Sequence, residues 1–148
     1  MSTRPLRFAI DHDEFYCEFV GTTADGRQFF LTAPFVAACG GVGSQEFVAL
    51  YIFDESGVLI DAKIDAFGPR ATMDRSARQA CRKRRLSELG LINFERIFVE
   101  PFRVNRFGVT FGLIDLPPEG ERDYWTVSVE PGNYMVFFEP WDSGIYDT

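Results

Sequence analysis

The chain has 148 residues, 46% hydrophobic and 25% charged, with 22 acidic against 15 basic side chains and a net charge of −7. That length fits one domain, residues 1–148, able to bury a core without disulfides or metals. The acidic balance argues against non-specific nucleic-acid binding by the body of the protein. The charge is unevenly spread. Between Arg70 and Arg85 there are seven basic residues and one acid, Asp74, while the rest of the chain holds eight basic and 21 acidic groups. Phenylalanine is the compositional outlier at 16 residues, which suits an aromatic β core or, alternatively, a hydrophobic ligand cavity.

The first seven residues lead straight into Asp11, Asp13 and Glu14, with no apolar stretch of the kind a secretory leader needs. His12, the only histidine, stands among these acids and reads as a surface residue rather than a general base. Cys17, Cys39 and Cys81 are odd in number and form no CxxC pair, so a disulfide framework is not expected and a cytoplasmic setting is. Residues 15–20 and 29–32 read as strands joined through Asp25-Gly26. The longest uncharged stretch, residues 28–45, contains Pro34 and falls short of the roughly 20 apolar residues that cross a bilayer. No membrane partner is expected. Gly40-Gly41-Val42-Gly43-Ser44 has the look of a phosphate loop but lacks the Gly-Lys-Ser/Thr ending, so it reads as a connection.

Residues 47–53 are apolar on both faces, the mark of a central strand. Asp54-Glu55-Ser56-Gly57 suits a type I turn followed by a left-handed glycine. Beyond it Val58, Ile60, Ala62 and Ile64 alternate with Leu59, Asp61, Lys63 and Asp65, a strand with one packed face. Residues 74–89 hold no proline or glycine and are rich in good helix formers. Thr72 or Asp74 can cap the start of this helix, and Gly90 suits the position after its end.

On a helical wheel Arg75, Arg78, Arg82 and Arg85 share one sector, opposite Met73, Ala77, Ala80 and Cys81. The small side is expected against a sheet, with Cys81 a buried, inert thiol. Arg84 projects into the small side, and Leu86 and Leu89 lie near the arginines, so the last turn packs differently or the helix ends early. The four arginines can grip carboxylates or phosphates, or form a solvated face neutralised by the protein's own acids. No aromatic residue interleaves with them, so nucleic acid is the weaker candidate.

Alternation resumes in Phe107, Val109, Phe111 and Leu113, and again in Trp125, Val127 and Val129. Pro131-Gly132 fits the centre of a type II turn between residues 125–130 and 134–139. The loop 117–121 reads as a surface excursion. The tail abandons alternation. Trp141 and Tyr146 can anchor it across the sheet, Asp142 can form an Asx-turn, and Asp142, Tyr146 and Asp147 could instead form a polar aromatic site.

The expected fold is α+β: an antiparallel sheet or two-layer β-sandwich of eight or nine strands with one basic helix. No GxSxG elbow, Walker loop, EF-hand spacing or zinc-ligand set occurs, so neither catalysis nor a cofactor is expected. The leading expectation is a non-catalytic protein-binding domain, an inhibitor, immunity-type or accessory protein for a basic partner. The alternative is a small-molecule binder or enzyme with a Phe-lined pocket near the tail; a third is anion or nucleic-acid binding through the basic helix. The candidate binding residues are Arg75, Arg78, Arg82, Arg85, Trp141, Asp142, Tyr146 and Asp147.

Overall fold

The computed structural model describes residues 2–40 and 43–148. Among them thirteen strands and one helix follow in order: β1 (Phe8–Ile10), β2 (Val20–Thr23), β3 (Gln28–Thr32), β4 (Phe35–Val36), β5 (Gln45–Phe53), β6 (Leu59–Gly68), α1 (Arg75–Ser87), β7 (Ile92–Phe94), β8 (Ile97–Val99), β9 (Phe102–Arg106), β10 (Val109–Leu116), β11 (Thr126–Glu130), β12 (Val136–Phe137) and β13 (Tyr146–Asp147). The strands are more numerous than the eight or nine expected, because prolines and turns divide several of the apolar runs. Every strand pairing is antiparallel, so the α+β class holds.

β5 is the axis of the first sheet. β6 runs along one edge; β3 and then β4 pair with successive parts of the other, with Thr32 opposite Ala49 and Phe35 opposite Glu46. β2 and β7 extend the sheet beyond β3. The second sheet has the order β13-β12-β11-β10-β9, and β1 with β8 forms a separate ribbon. The two apolar faces of β5 are each covered. Phe47, Ala49, Tyr51 and Phe53 join Phe111, Leu113, Val127 and Val129 of the second sheet in one core. Phe47 meets Phe111 edge-on at 4.9 Å, and Tyr51 meets Phe102 at 4.7 Å. Val48, Leu50 and Ile52 face a smaller cluster with Phe29, Leu31 and Cys81 of α1.

Several local readings need correction. Residues 15–19 are not strand: Asp13 Oδ1 accepts the N–H groups of Phe15 and Cys17, closing a turn in place of a ladder. β6 starts out of phase. Phe53 faces Leu59 and Ile52 faces Asp61, so Ile60 is an extra, bulged residue. The slip swaps faces. Leu59, Ala62 and Ile64 pack on the core, while Val58 and Ile60 are 42% and 53% exposed. Phe107 is a turn residue with φ +54°, not part of a strand. Pro131-Gly132 is no tight turn: residues 131–135 separate β11 from β12, and Val129 N–H reaches Met135 C=O.

The helix is Arg75–Ser87, shorter than residues 74–89. Asp74 caps it by accepting the Ala77 N–H at 3.0 Å, and Gly90 follows at φ +76°. Leu86 in its last turn and Leu89 just beyond it pack into the smaller cluster.

Candidate functional site

The four wheel-aligned arginines do not form one open gripping face. Arg75 is exposed. Arg85 is committed to the sheet: Nε and Nη2 donate to the two carboxylate oxygens of Asp65 on β6, at 2.9 and 3.0 Å, and Nη1 reaches Glu88 at 3.1 Å. Arg78 Nη1 lies 3.8 Å from Glu46 Oε1, and the Arg82 guanidinium sits 5.1 Å from the ring centre of Phe19. Burial, and then the neighbouring Arg78 charge, lower the Arg82 pKa from its ordinary value. Burial raises the Asp65 pKa, but hydrogen bonds from Arg85 and Cys81 outweigh it and leave that carboxyl below its ordinary value. The Cys81 thiol is pushed up to about 11, first by burial and then by its hydrogen bond to Asp65.

The tail residues are likewise separated. Trp141 is structural: its indole donates to Thr3 C=O at 3.2 Å, and its own carbonyl accepts Ala9 N–H at 2.7 Å. The Asp142 side chain is exposed and forms no Asx-turn; the local turn is closed by Ser143 N–H to Pro140 C=O and by Ser143 Oγ accepting Ile145 N–H. Arg96 holds this turn through the carbonyls of Asp142 and Ser143 while pairing with Asp11. Tyr146 and Asp147 form the edge strand β13, whose period of two sends them to opposite faces. Tyr146 turns inward and donates to Asp13 Oδ2 at 2.5 Å. Burial raises the Asp13 pKa, but this bond and two backbone N–H groups outweigh it and pull the carboxyl below its ordinary value.

Asp147, on the other face, opens onto a groove of about 470 Å³ that it shares with Ser2, Tyr124, Phe138 and Glu139. A second hollow of about 310 Å³ has Tyr124, Phe138 and Asp147 in common with it and continues over Leu116, Arg122 and Val136. Tyr124 is 45% and Leu116 39% exposed, so this outer face of the second sheet presents apolar surface to solvent. Its surroundings are strongly acidic. Residues 115–148 contain eight acids and one base, Arg122. Glu119, Glu121, Asp123, Asp142 and Asp147 are exposed and have no ion-pair partner among the described residues. Arg122 is held locally, donating to the carbonyls of Tyr124 and Pro117 at 2.6 and 2.8 Å. Of the tail residues singled out from sequence, only Asp147 borders this groove. Tyr124, Phe138 and Glu139 were missed, although the run of acids was there to be counted.

His12 is exposed, stacks on Phe94 at 5.3 Å and meets the Glu18 carbonyl at 3.1 Å. Cys39 is exposed, and Cys17 and Cys81 are buried. Of the glycine-rich stretch, Gly41 and Val42 lie outside the described residues; Ser44 Oγ accepts the Arg70 N–H at 3.0 Å. Among the described residues no three His, Cys, Asp or Glu side chains cluster for a metal ion, and no helix is long and apolar enough to cross a membrane. No protein-family model, curated protein or solved structure matches the chain significantly.

Proposed function

We propose that the protein is a non-catalytic binding domain, of the inhibitor, immunity or accessory kind, that docks a basic protein partner on the outer face of the second sheet. The observation that carries this reading is the groove around Tyr124, Phe138 and Asp147, set in a 34-residue block whose charge balance equals that of the whole chain. Aromatic side chains in a hollow are the usual anchors of an interface. Unpaired acids around them steer a cationic partner in and reject anionic ones. We also infer that the two larger sheets are the layers of a β-sandwich, joined through the Phe47–Phe111 and Tyr51–Phe102 contacts. That arrangement leaves Leu116, Tyr124 and Asp147 at the rim of the groove open to solvent. Cytoplasmic residence fits the unpaired cysteines.

The test is capture from the native cell extract at low and high salt. The account expects a basic protein bound in stoichiometric amount and released by salt. Capture should fall with Tyr124→Ser and with the combined Asp123→Asn, Asp147→Asn variant, and persist with Asp61→Asn on β6. Capture that ignores both salt and the groove variants would refute it.

A further inference from the structure

A different hollow, of about 240 Å³, lies where α1 faces the start of β4 and the turn before β2. Arg70, Arg78 and Arg82 border it, and Tyr16, Phe19 and Tyr134 are among its aromatic walls. We propose that this cleft binds a small aromatic carboxylate, its ring between the aromatic walls and its carboxylate on Arg78 and Arg82.

The charge layout supports that chemistry. Glu46, 3% exposed, anchors the basic side: Arg70 Nη2 reaches its Oε1 at 3.0 Å, and Arg78 Nη1 lies 3.8 Å from the same oxygen. Its Oε2 is buried without a hydrogen-bond partner, so the carboxylate is a fixed counter-charge at the base of the two arginines. Arg70 satisfies that charge, and Arg78 only leans on it. Arg82 has no ion-pair partner among the described residues and rests on the Phe19 ring. Three arginines against Glu18 and Glu46 leave one positive charge in the lining, which matches a monoanion better than a phosphate dianion. Guanidinium planes favour a planar carboxylate, held by two parallel N–H···O bonds. The volume is below the roughly 300 Å³ at which sites for drug-sized ligands begin, so the ligand is of single-ring size. Thr32 Oγ1 and Tyr134 Oη, 2.6 Å apart, satisfy each other and leave ring contact as the role of that wall.

The reading is independent of the docking face, and its test uses the whole chain with benzoate as probe. Benzoate should move the amide signals of Tyr16, Phe19 and Arg82 in a ¹⁵N-resolved titration. Benzamide, without the charge, and inorganic phosphate, without the ring, should bind at least about tenfold more weakly. Arg82→Gln should weaken benzoate by about tenfold or more, the loss expected for a hydrogen bond between charged groups. Arg75→Gln, on the same helix but outside the cleft, should leave it unchanged. Arg82→Lys keeps charge and stem but loses the planar fork, so it should also weaken binding if the glutamine variant misfolds. Absence of benzoate shifts at these residues, phosphate binding as tight as benzoate, or full affinity in both Arg82 variants would overturn the proposal.

Discussion

Replacing Asp65 by Asn should loosen α1 from the first sheet by about 2 kcal/mol. The wild-type carboxylate receives Arg85 Nε at 2.9 Å, Arg85 Nη2 at 3.0 Å and Cys81 Sγ at 3.2 Å. The Asp65 and Arg85 side chains are 23% and 17% exposed. Removing one partner of a fully buried pair costs about 3–5 kcal/mol, and an exposed pair is worth about 0.2–1 kcal/mol. This pair lies between those limits, and Arg85 keeps Glu88 at 3.1 Å, which holds the loss near the middle. Arg84, 60% exposed and 3.9 Å from Asp65, adds nothing measurable. For a chain of this length about 2 kcal/mol lowers Tm by roughly 4–8 °C. Denaturant unfolding of Asp65→Asn, Arg85→Met and the double variant isolates the coupling between the two side chains. The folded Asp65 carboxyl titrates below its unfolded value. Its contribution is therefore complete above the unfolded pKa of about 4 and is lost as pH falls through the lower folded value. Asp65→Asn should flatten that acid limb. A coupling below about 0.5 kcal/mol, or an unchanged acid limb, would refute the claim that this pair holds the helix.

Gly112→Ala should cost more than about 3 kcal/mol, since the backbone is at φ +152° and a Cβ would stand 2.1 Å from the Phe102 carbonyl oxygen of β9. Urea unfolding checks it, and a loss under about 1 kcal/mol would mean that β9 and β10 are not so closely apposed. A thiol reagent at neutral pH should titrate one cysteine rapidly in the native protein, the exposed Cys39. Cys81 should stay silent because burial and Asp65 keep its thiol protonated; rapid labelling of Cys81 would contradict its packing against the sheet. Arg96→Met should speed amide exchange at Tyr146, because the guanidinium ties the turn before β13 to Asp11. Unchanged exchange there would show that the tail is held by its strand pairing alone.

How much of this was legible depended on the range of the interaction. Two-sided hydrophobicity placed β5 at the centre, and Asp74 and Gly90 marked the helix within two residues, because caps and burial are local chemistry. Period two failed in β6, where one bulged residue at Ile60 reverses the faces and leaves no trace in composition. The burial of Cys81 was read correctly, but the wheel chose the wrong face: Ala77 and Ala80 are exposed, and Arg78, Arg82 and Arg85 lie half-buried beside Cys81 toward the sheet. It could not show that Asp65 of β6 takes Arg85, or that Glu46 of β5 reaches toward Arg78, since a wheel projects the helix alone and both partners come from the strands it packs on. In the tail, Tyr146 and Asp147 were grouped as one site although adjacent strand residues must face apart. The pairing of residues 125–130 with 134–139 was legible and is seen as β11 with β12, but nothing local showed that β13 adds to β12 and brings Asp147 to Tyr124 and Phe138.

The central claim, that the outer face of the second sheet is the docking surface, is tested most directly by hydrogen exchange on the captured complex against the free protein. The account predicts new protection concentrated in residues 116–126, 136–139 and 146–147, with α1 unchanged. Protection confined to α1 and the first sheet, with the groove exchanging as in the free protein, would contradict it.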